Sequence, residues 1–475
     1  MDPEARASEA RFQSYVESLA TVLGHADRVE PLKDYCAGLL LPVERKSVEP
    51  IAAIVAPERT AAKHQSLLHF VGEGAWSDAA VLAKVRDVVQ PDIEAQGKIE
   101  AWIVDDTGFA KKGVHSVGVA RQYCGRLGKT DNCQIAVTLS IANHAASLPV
   151  AYQLYLPEDW ADDAARRRKA HVPDGVKFQT KPRIALAQIR AALAAGVTPG
   201  VLLADAAYGS DSRFRAEITA MGLTYAVGVQ SRLSVWPAGV GPLAPEPRAG
   251  RGRKPTRARR DAEHKPVSAE ALAMKLPEEA WRTVAWREGS NETLSSRFAA
   301  VRVRSASQDW EFAAPPALEW LLIEWPEGEK APTKYWLSTL PEDTTLEVLV
   351  DTAKLRWRIE RDYEELKSEI GLAHFEGRGW RGFHHHATLC IAAYGFLIRE
   401  RAAFPPSEPW GRKMPAIPDR PRPRGAPDPN REARRQFHSD HASQAYSRPR
   451  KVPRPLSMLS GREAQIRALS PLVTQ

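Results

Sequence analysis

The chain has 475 residues, of which 43% are apolar and 26% are charged. This balance is typical of a globular chain with about two or three domains, and it excludes a largely disordered, collagen-like or coiled-coil protein. The net charge is +8 at pH 7.

Membrane and secreted proteins are disfavoured by three features of the sequence. No stretch reaches the roughly 18 uncharged apolar residues of a membrane helix, so we expect no membrane partner. The first residues lack the basic start and the apolar run of a signal peptide. The cysteines are scattered, which excludes a disulfide scaffold and predicts a reducing cytoplasm. They are Cys36, Cys124, Cys133 and Cys390.

The first segment, residues 1–95, is predicted to be a helical domain. Apolar residues recur at helical spacing in 12–19 and again in 51–55. Gly72, Gly74 and Pro91 interrupt the pattern at points where helices end or bend.

Residues 96–230 are predicted to form the first part of an α/β core. Short apolar runs indicate buried strands, and two longer segments indicate helices. The strands are expected at 101–104, 117–120, 135–141, 201–204 and 223–229, and the helices at 182–195 and 214–221. Such an order predicts a mixed sheet with helices packed against it.

The next segment, residues 231–340, is predicted to be a mostly β insertion that opens with a basic loop rich in Pro, Gly and Arg. Its strands are expected at 283–286, 298–303, 318–323 and 335–339. The core then resumes in residues 341–404. There one long amphipathic helix is predicted for 345–370 and another for 385–402.

The C-terminal segment, residues 405–475, is predicted to be a disordered basic tail. It holds 14 Lys and Arg against 6 Asp and Glu, so it accounts for the whole net charge, and it contains 13 of the 36 prolines. Two interpretations remain open. The tail is either a solvated arm or a contact to the phosphate backbone of a nucleic acid.

Acidic residues stand where two predicted strands end. Asp105 and Asp106 follow the first core strand, and Asp205 follows 201–204. Ligands of open α/β sheets bind at such strand ends. With Glu360 from the helix, these carboxylates form a set of hard oxygen donors that suits Mg²⁺ or Mn²⁺. The alternative for each single aspartate is a cap on the following helix.

The glutamate helix carries two cations near its acid. Arg356, Glu360 and Lys367 are separated by four and seven residues, so they share one helical face. A carboxylate between two cations suits a metal ligand beside a phosphate backbone. The alternative is an exposed helix with surface salt bridges.

These motifs resemble those of the DDE transposases of bacterial insertion sequences. Val104-Asp105-Asp106-Thr107, Leu203-Ala204-Asp205 and Arg356-Trp357-Arg358-Ile359-Glu360 are similar to their three catalytic motifs. One branch, the insertion-sequence 701-like group, has a Tyr-Arg-Glu-Lys signature on its glutamate helix. Arg356, Glu360 and Lys367 match its last three positions, whereas Ala353 stands at the tyrosine position. The stretches 106–134 and 371–378 are also typical of these transposases.

The resemblance implies an RNase H-like core and a catalytic triad of Asp106, Asp205 and Glu360 that binds two Mg²⁺ or Mn²⁺ ions. In the family the first ligand directly precedes the threonine, which selects Asp106. Adjacent residues of a strand face opposite sides, so only one of the pair is expected to face the metals, and Asp105 is the alternative.

The implied function is cut-and-paste transposition. The protein would hydrolyse DNA at the ends of an insertion sequence and join the 3′ hydroxyl ends to target DNA. Its partners would be double-stranded DNA and a second copy, as a homodimer on DNA, near the nucleoid in the cytoplasm. Two alternatives remain: an RNase H-fold nuclease without strand transfer, and an inactive DNA-binding derivative.

DNA contacts are expected in four places. Arg356 and Lys367 would clamp phosphates beside the acids. A basic loop with Arg251, Arg253 and Lys254 would enter a minor groove, with a solvated loop as the alternative. Trp336 would stack on a flipped base, or it would be an ordinary core residue. The domain 1–95 is the candidate for binding the DNA ends.

Overall fold

The computed structural model describes residues 3–243, 259–288, 292–306 and 317–404. The predicted minor-groove residues Arg251, Arg253 and Lys254 and the predicted basic tail, 405–475, lie outside these ranges. None of the helices within the ranges is long and apolar enough to cross a membrane.

Five helices make up the N-terminal segment, as the apolar spacing predicted. They are α1 (Pro3–Ala20), α2 (Val29–Leu40), α3 (Val48–Val55), α4 (Thr60–Gly72) and α5 (Asp78–Glu94). Ser77 caps α5 by accepting a hydrogen bond from the backbone N–H of Ala80, which satisfies one of the donors that a helix leaves unpaired at its start.

These helices pack around the last helix, α14 (Trp380–Ala403), which is buried along most of its length. The Tyr15 hydroxyl donates to the Ala392 carbonyl at 2.9 Å, and Arg11 forms an ion pair with Glu400 at 2.7 Å. A Cβ atom added at Gly395 would lie 3.0 Å from the Tyr15 hydroxyl, so a larger residue there would push α1 away. The N-terminal helices therefore share one hydrophobic core with α14 and the strands of the sheet.

Twelve strands form the sheet of the described residues. The first six are β1 (Ala101–Ala110), β2 (Ala120–Cys124), β3 (Lys129–Ala142), β4 (Ser147–Leu154), β5 (Val201–Ala204) and β6 (Tyr225–Val229). The others are β7 (Ser234–Pro237), β8 (Val267–Ser268), β9 (Arg282–Glu288), β10 (Glu292–Ser305), β11 (Glu319–Trp325) and β12 (Lys334–Ser338).

The first half of the sheet has the strand arrangement of an RNase H-like core. Strand β3 pairs antiparallel with β1 and with β4, while β5 and β6 continue from β1 as parallel strands. The helices that connect and flank these strands are α6 (Glu158–Asp162), α7 (Ala164–Lys169), α8 (Lys181–Ala194), α9 (Ala206–Gly209) and α10 (Ser212–Ala220). The expected α/β class is confirmed.

One predicted strand was wrong. Residues 117–120 form a turn instead, and β2 begins only at Ala120. Gly118 takes a left-handed conformation (φ 70°), and a Cβ there would lie 2.9 Å from the Tyr155 carbonyl oxygen. The turn is therefore fixed by backbone conformation, which the apolar composition of this segment does not reveal.

The strands of the predicted insertion extend the core sheet. Strand β12 pairs antiparallel with β6, and the order continues through β11, β10 and β7 to β8. The short helix α11 (Ala269–Ala273) follows β8. A separate hydrophobic cluster lies under these strands, and it contains the buried rings of Trp286, Phe298 and Trp336. The boundaries of the domains remain predictions.

The predicted long helix 345–370 was wrong in one respect, because it is two helices. Helix α12 (Leu346–Lys354) packs against β9 and β10, whereas α13 (Trp357–Ser368) packs against β1 and β4. At the junction the N–H of Arg358 donates to the Leu355 carbonyl, three residues back. This tighter turn lets each helix follow the surface under it, which helical periodicity alone does not reveal.

A buried ion pair links α12 to the insertion strands. Lys354 Nζ lies 2.8 Å from Glu324 Oε1, both side chains are less than 10% exposed, and the ammonium lies 4.0 Å from the centre of the Trp286 ring. Breaking a buried pair by removing one partner leaves an uncompensated charge, which is much more costly than replacing both partners.

We therefore expect Lys354→Met to lower the free energy of unfolding by about 3–5 kcal/mol, and Lys354→Met with Glu324→Gln to recover most of that loss. The measurement is urea unfolding followed by tryptophan fluorescence. Arg282→Met provides the control, because its ion pair with Glu347 is exposed and its loss should cost less than about 1 kcal/mol. A Lys354→Met variant as stable as this control would contradict the prediction.

Candidate active site

The first two acids are brought together by neighbouring parallel strands. Ile103 of β1 pairs with Leu203 of β5, and two residues farther along the chain come Asp105 and Asp205. Because side chains alternate along a strand, Asp105 and Asp205 lie on the same face of the sheet. Asp106 lies on the opposite face.

Arg356 joins the three elements that carry acids on this face. Its Nη1 atom donates to Asp105 Oδ2 at 2.8 Å, and its Nη2 atom donates to Glu360 Oε1 at 2.6 Å. The guanidinium also interacts electrostatically with Asp205. Asp105 and Glu360 therefore share one cation, and the charge of Asp205 acts on the same guanidinium. The catalytic roles predicted for Asp205 and Glu360 remain predictions.

Asp205 is held by the turn that follows β5. Its Oδ1 atom accepts hydrogen bonds from the backbone N–H groups of Ala207 at 2.9 Å and Tyr208 at 3.4 Å, so it caps the short helix α9. A Cβ at Gly209 would lie 2.0 Å from the Gly228 carbonyl oxygen, so α9 packs directly on β6. The capping role weighed against catalysis is present, and it leaves Asp205 beside the other acids.

The electrostatics of the site oppose the ionisation of Asp105. Burial raises the pKa of Asp105 to about 6, the Arg356 charge partly offsets this effect, and the nearby Asp205 and Asp106 carboxylates raise the pKa further. Ionised Asp105 is thus unfavourable even with Arg356 in place. An additional cation would relieve that repulsion.

Asp106 is engaged on the other face of the sheet. Lys181 Nζ, at the start of α8, lies 2.6 Å from Asp106 Oδ2, and the Tyr208 hydroxyl donates to Oδ1. Burial raises the pKa of Tyr208 well above its ordinary value, as do the nearby carboxylates, so the phenol keeps its proton and acts as a donor. The sequence analysis missed Lys181 and Tyr208, although Tyr208 lies only three residues after Asp205.

The remaining predicted contacts fall in two kinds of environment. Lys367 lies with its Nζ 5.3 Å from the centre of the Phe109 ring, on the face that carries Asp105. Trp336 is only 8% exposed and packs in the hydrophobic cluster of the insertion. This position is the core alternative, and it leaves little of the Trp336 ring for a base to stack on.

The donor set fits a hard divalent cation. Three carboxylates provide oxygen ligands of the type that Mg²⁺ and Mn²⁺ prefer, and burial, together with the neighbouring carboxylates, raises the pKa of Asp105. Within the described ranges, no group of three or more His, Cys, Asp or Glu is arranged to hold a metal. Arg356 lies among the acids, so metal binding would require its guanidinium to move.

The sequence model of the DDE superfamily endonucleases matches residues 18–293, more than half of the chain. The chain belongs to this family. Endonucleases of the superfamily use divalent metal ions. The matched residues include Asp105, Asp106 and Asp205, whereas Glu360 lies beyond them. Glu360 is linked to the matched residues through Arg356, which contacts both Glu360 and Asp105.

A transposase is among the proteins similar to this DDE family member. The chain is 28% identical over 233 residues to the probable transposase for insertion sequence element IS701 of Microchaete diplosiphon. The match covers 49% of this chain and 57% of that relative, less than two thirds of its length.

The raised pKa of Asp105 predicts how an Asp105→Asn variant depends on pH. The folded-state pKa of Asp105 is about 6, whereas its ordinary value is 3.8. The ionised carboxylate therefore lowers the stability of the fold above pH 6, and this cost disappears as the pH falls from 6 to 3.8. We expect Asp105→Asn to melt at a higher temperature than the unaltered protein at pH 8 with EDTA, and the gap to shrink below about pH 6 and to close near pH 4, where the carboxyl is protonated in the folded and the unfolded state.

The measurement is a series of thermal melts across this pH range. Asp174→Asn, which removes an exposed carboxylate, serves as the matched control and should show no such gap. A gap that is independent of pH, or an Asp105→Asn variant that is less stable at pH 8, would contradict the raised pKa of Asp105.

Proposed function

We propose that this chain is a DNA transposase. It binds insertion-sequence ends, hydrolyses the DNA strand at the acidic site and joins the 3′ hydroxyl ends to target DNA. The observation that carries the proposal is the grouping of Asp105, Asp205 and Glu360 around Arg356 in a DDE superfamily endonuclease. The similarity to the IS701 transposase supports the step from nuclease to transposase.

Asp105, Asp205 and Glu360 are the proposed ligands of two Mg²⁺ or Mn²⁺ ions, and Asp106 is the alternative to Asp105. The shared face with Asp205 and the contact with Arg356 support Asp105. The contacts of Asp106 with Lys181 and Tyr208 support a positioning role for that residue. Paired divalent ions supply an activated water and stabilise the leaving oxygen.

Arg356 has two tasks in this proposal. Without a bound metal, its guanidinium neutralises the carboxylates. With the carboxylates neutralised by bound metal, the guanidinium would be released to donate two parallel hydrogen bonds to a DNA phosphate. Lys367, farther along α13, supplies a second phosphate contact. Neither step needs a covalent protein intermediate, because the 3′ hydroxyl itself attacks the target strand.

The partners follow from the reaction. Both the transposon ends and the target are double-stranded DNA, and two ends must be held together, so a homodimer on DNA at the nucleoid is expected. The basic loop with Arg251, Arg253 and Lys254 remains a proposed minor-groove contact. A nuclease without strand transfer and an inactive derivative are outcomes that the experiments below distinguish from a transposase.

The first experiment measures metal-dependent cleavage of DNA carrying the ends of the insertion sequence. We expect Asp106→Asn to reduce the rate by about 10- to 100-fold. This is the usual loss when a residue that orients the metal ligands, without binding the metal itself, is removed. Asp105→Asn, Asp205→Asn and Glu360→Gln should lose at least about tenfold more, because each removes a ligand. Asp105→Asn and Asp106→Asn form a matched pair that removes one charge from either face of β1.

Three results would contradict this assignment. Full cleavage by Asp205→Asn would contradict the proposed metal site. A larger loss for Asp106→Asn than for Asp105→Asn restores Asp106 as the ligand. An unaltered protein that binds DNA but never cuts it supports the inactive derivative.

The second experiment separates a transposase from a nuclease. Pre-cleaved ends are incubated with supercoiled target plasmid and Mg²⁺, and we expect joined products whose formation requires a free 3′ hydroxyl. Ends that terminate in a 3′ deoxy sugar are the matched control and should not be joined. Cleaved ends that accumulate without joining would leave only the nuclease function.

A further inference from the structure

A second functional feature lies at the far end of β1, away from the acids. The chain after Ala110 meets the segment that follows α13, and together they enclose a cleft of about 440 Å³. We call it the basic cleft, because its charged and titratable lining consists mainly of Arg45, Lys111, Lys112, His115, His374 and Arg378.

The walls of the basic cleft are tied together by hydrogen bonds. Lys111 Nζ donates to the Phe375 carbonyl at 2.9 Å, and the Val117 N–H donates to the Arg378 carbonyl at 3.0 Å. The Asn132 side chain donates to the carbonyls of Lys111 at 2.7 Å and Gly113 at 2.9 Å. The cations are thus carried on a pre-formed surface.

The charge of the cleft is strongly unbalanced. Four Lys and Arg line it with one carboxylate, Glu376, which is already in an ion pair with Arg45. The half-buried Lys111 ammonium donates to a neutral carbonyl, and burial lowers its pKa. Residues 1–404 have almost no net charge, because the excess of +8 lies in 405–475, so the cleft is a local concentration of cations.

The cleft lies in line with the acids. Asp105, Phe109 and Lys111 are separated by even numbers of residues, and the first two lie on the face that packs against α13. Lys367 lies over Phe109, between the acids and the cleft. Six residues of extended chain separate Asp105 from Lys111, roughly 20 Å. That is about six base pairs of duplex, at about 3.4 Å each.

We propose that the basic cleft binds the phosphate backbone of the DNA duplex that flanks the cleavage site. This inference rests on the proposed function, and it adds a surface to the catalytic contacts of Arg356 and Lys367. A duplex whose scissile phosphate lies at the acids passes Lys367 and reaches Lys112 and Arg378 about half a helical turn away. The cleft holds the duplex in register without reading its sequence.

The experiment neutralises two exposed cations of the cleft, Lys112→Gln with Arg378→Gln. A matched double variant, Lys98→Gln with Lys275→Gln, removes two exposed cations elsewhere; Lys98 precedes β1, at its opposite end. Binding of a fluorescent duplex is measured by anisotropy over a range of salt concentrations in EDTA. Thermal melts verify that both variants keep the stability of the unaltered protein.

We expect the cleft variant to bind duplex more weakly whatever its sequence, and the slope of log affinity against log salt to fall by about 2, since each lost phosphate contact removes about 0.9. The matched variant should keep the slope of the unaltered protein.

Two results overturn the inference in different ways. A cleft variant with the affinity and salt slope of the unaltered protein refutes the cleft and leaves the proposed function standing. An unaltered protein that binds no duplex refutes both. A separate arm adds inorganic phosphate at millimolar concentration to the thermal melts. If phosphate stabilises the unaltered protein more than the cleft variant, while the variant loses no affinity for duplex, the cleft binds a small anion and the inference is also refuted.

Discussion

The site depends on how the charges of three carboxylates are balanced at one face of the sheet. Asp105, Asp205 and Glu360 come from a strand, a strand end and a helix, and grouping them costs electrostatic free energy that only a cation offsets. Arg356 provides that cation in the structure. Burial and, to a smaller extent, the neighbouring carboxylates raise the pKa of Asp105, and a divalent metal bound as we propose would compete with Arg356 for the same oxygens.

The adjacent aspartates Asp105 and Asp106 lie on opposite faces of β1 and make different contacts. Asp105 faces α13 and joins the acids, whereas Asp106 faces α8 and is fixed by Lys181 and Tyr208. Since Tyr208 belongs to the helix that Asp205 caps, Asp106 also links the turn after β5 to β1. Asp105 is thus the proposed metal ligand, and Asp106 has the proposed role of positioning the neighbouring ligand, Asp205.

Much of this arrangement could be predicted from the sequence, because apolar runs that end in acids mark buried strands at a sheet edge. The face of each aspartate could not, because it depends on the register in which 101–103 pair with 201–203, and this register gives Asp105 and Asp205 the same parity. The break at Arg356 could not, because both halves of 345–370 are amphipathic and only the surfaces beneath them differ. The buried position of Trp336 likewise depends on distant residues, Trp286 and Phe298.

The pairing of β12 with β6 has a mechanical consequence. A continuous ladder of backbone hydrogen bonds runs from the strands that carry Asp105 and Asp205 into the strands of the insertion. Tilting the insertion as a hinged lid would require peeling β12 away from β6. The outer strands are therefore held at a fixed angle to the acids, and any rearrangement at the proposed active site falls to side chains such as Arg356.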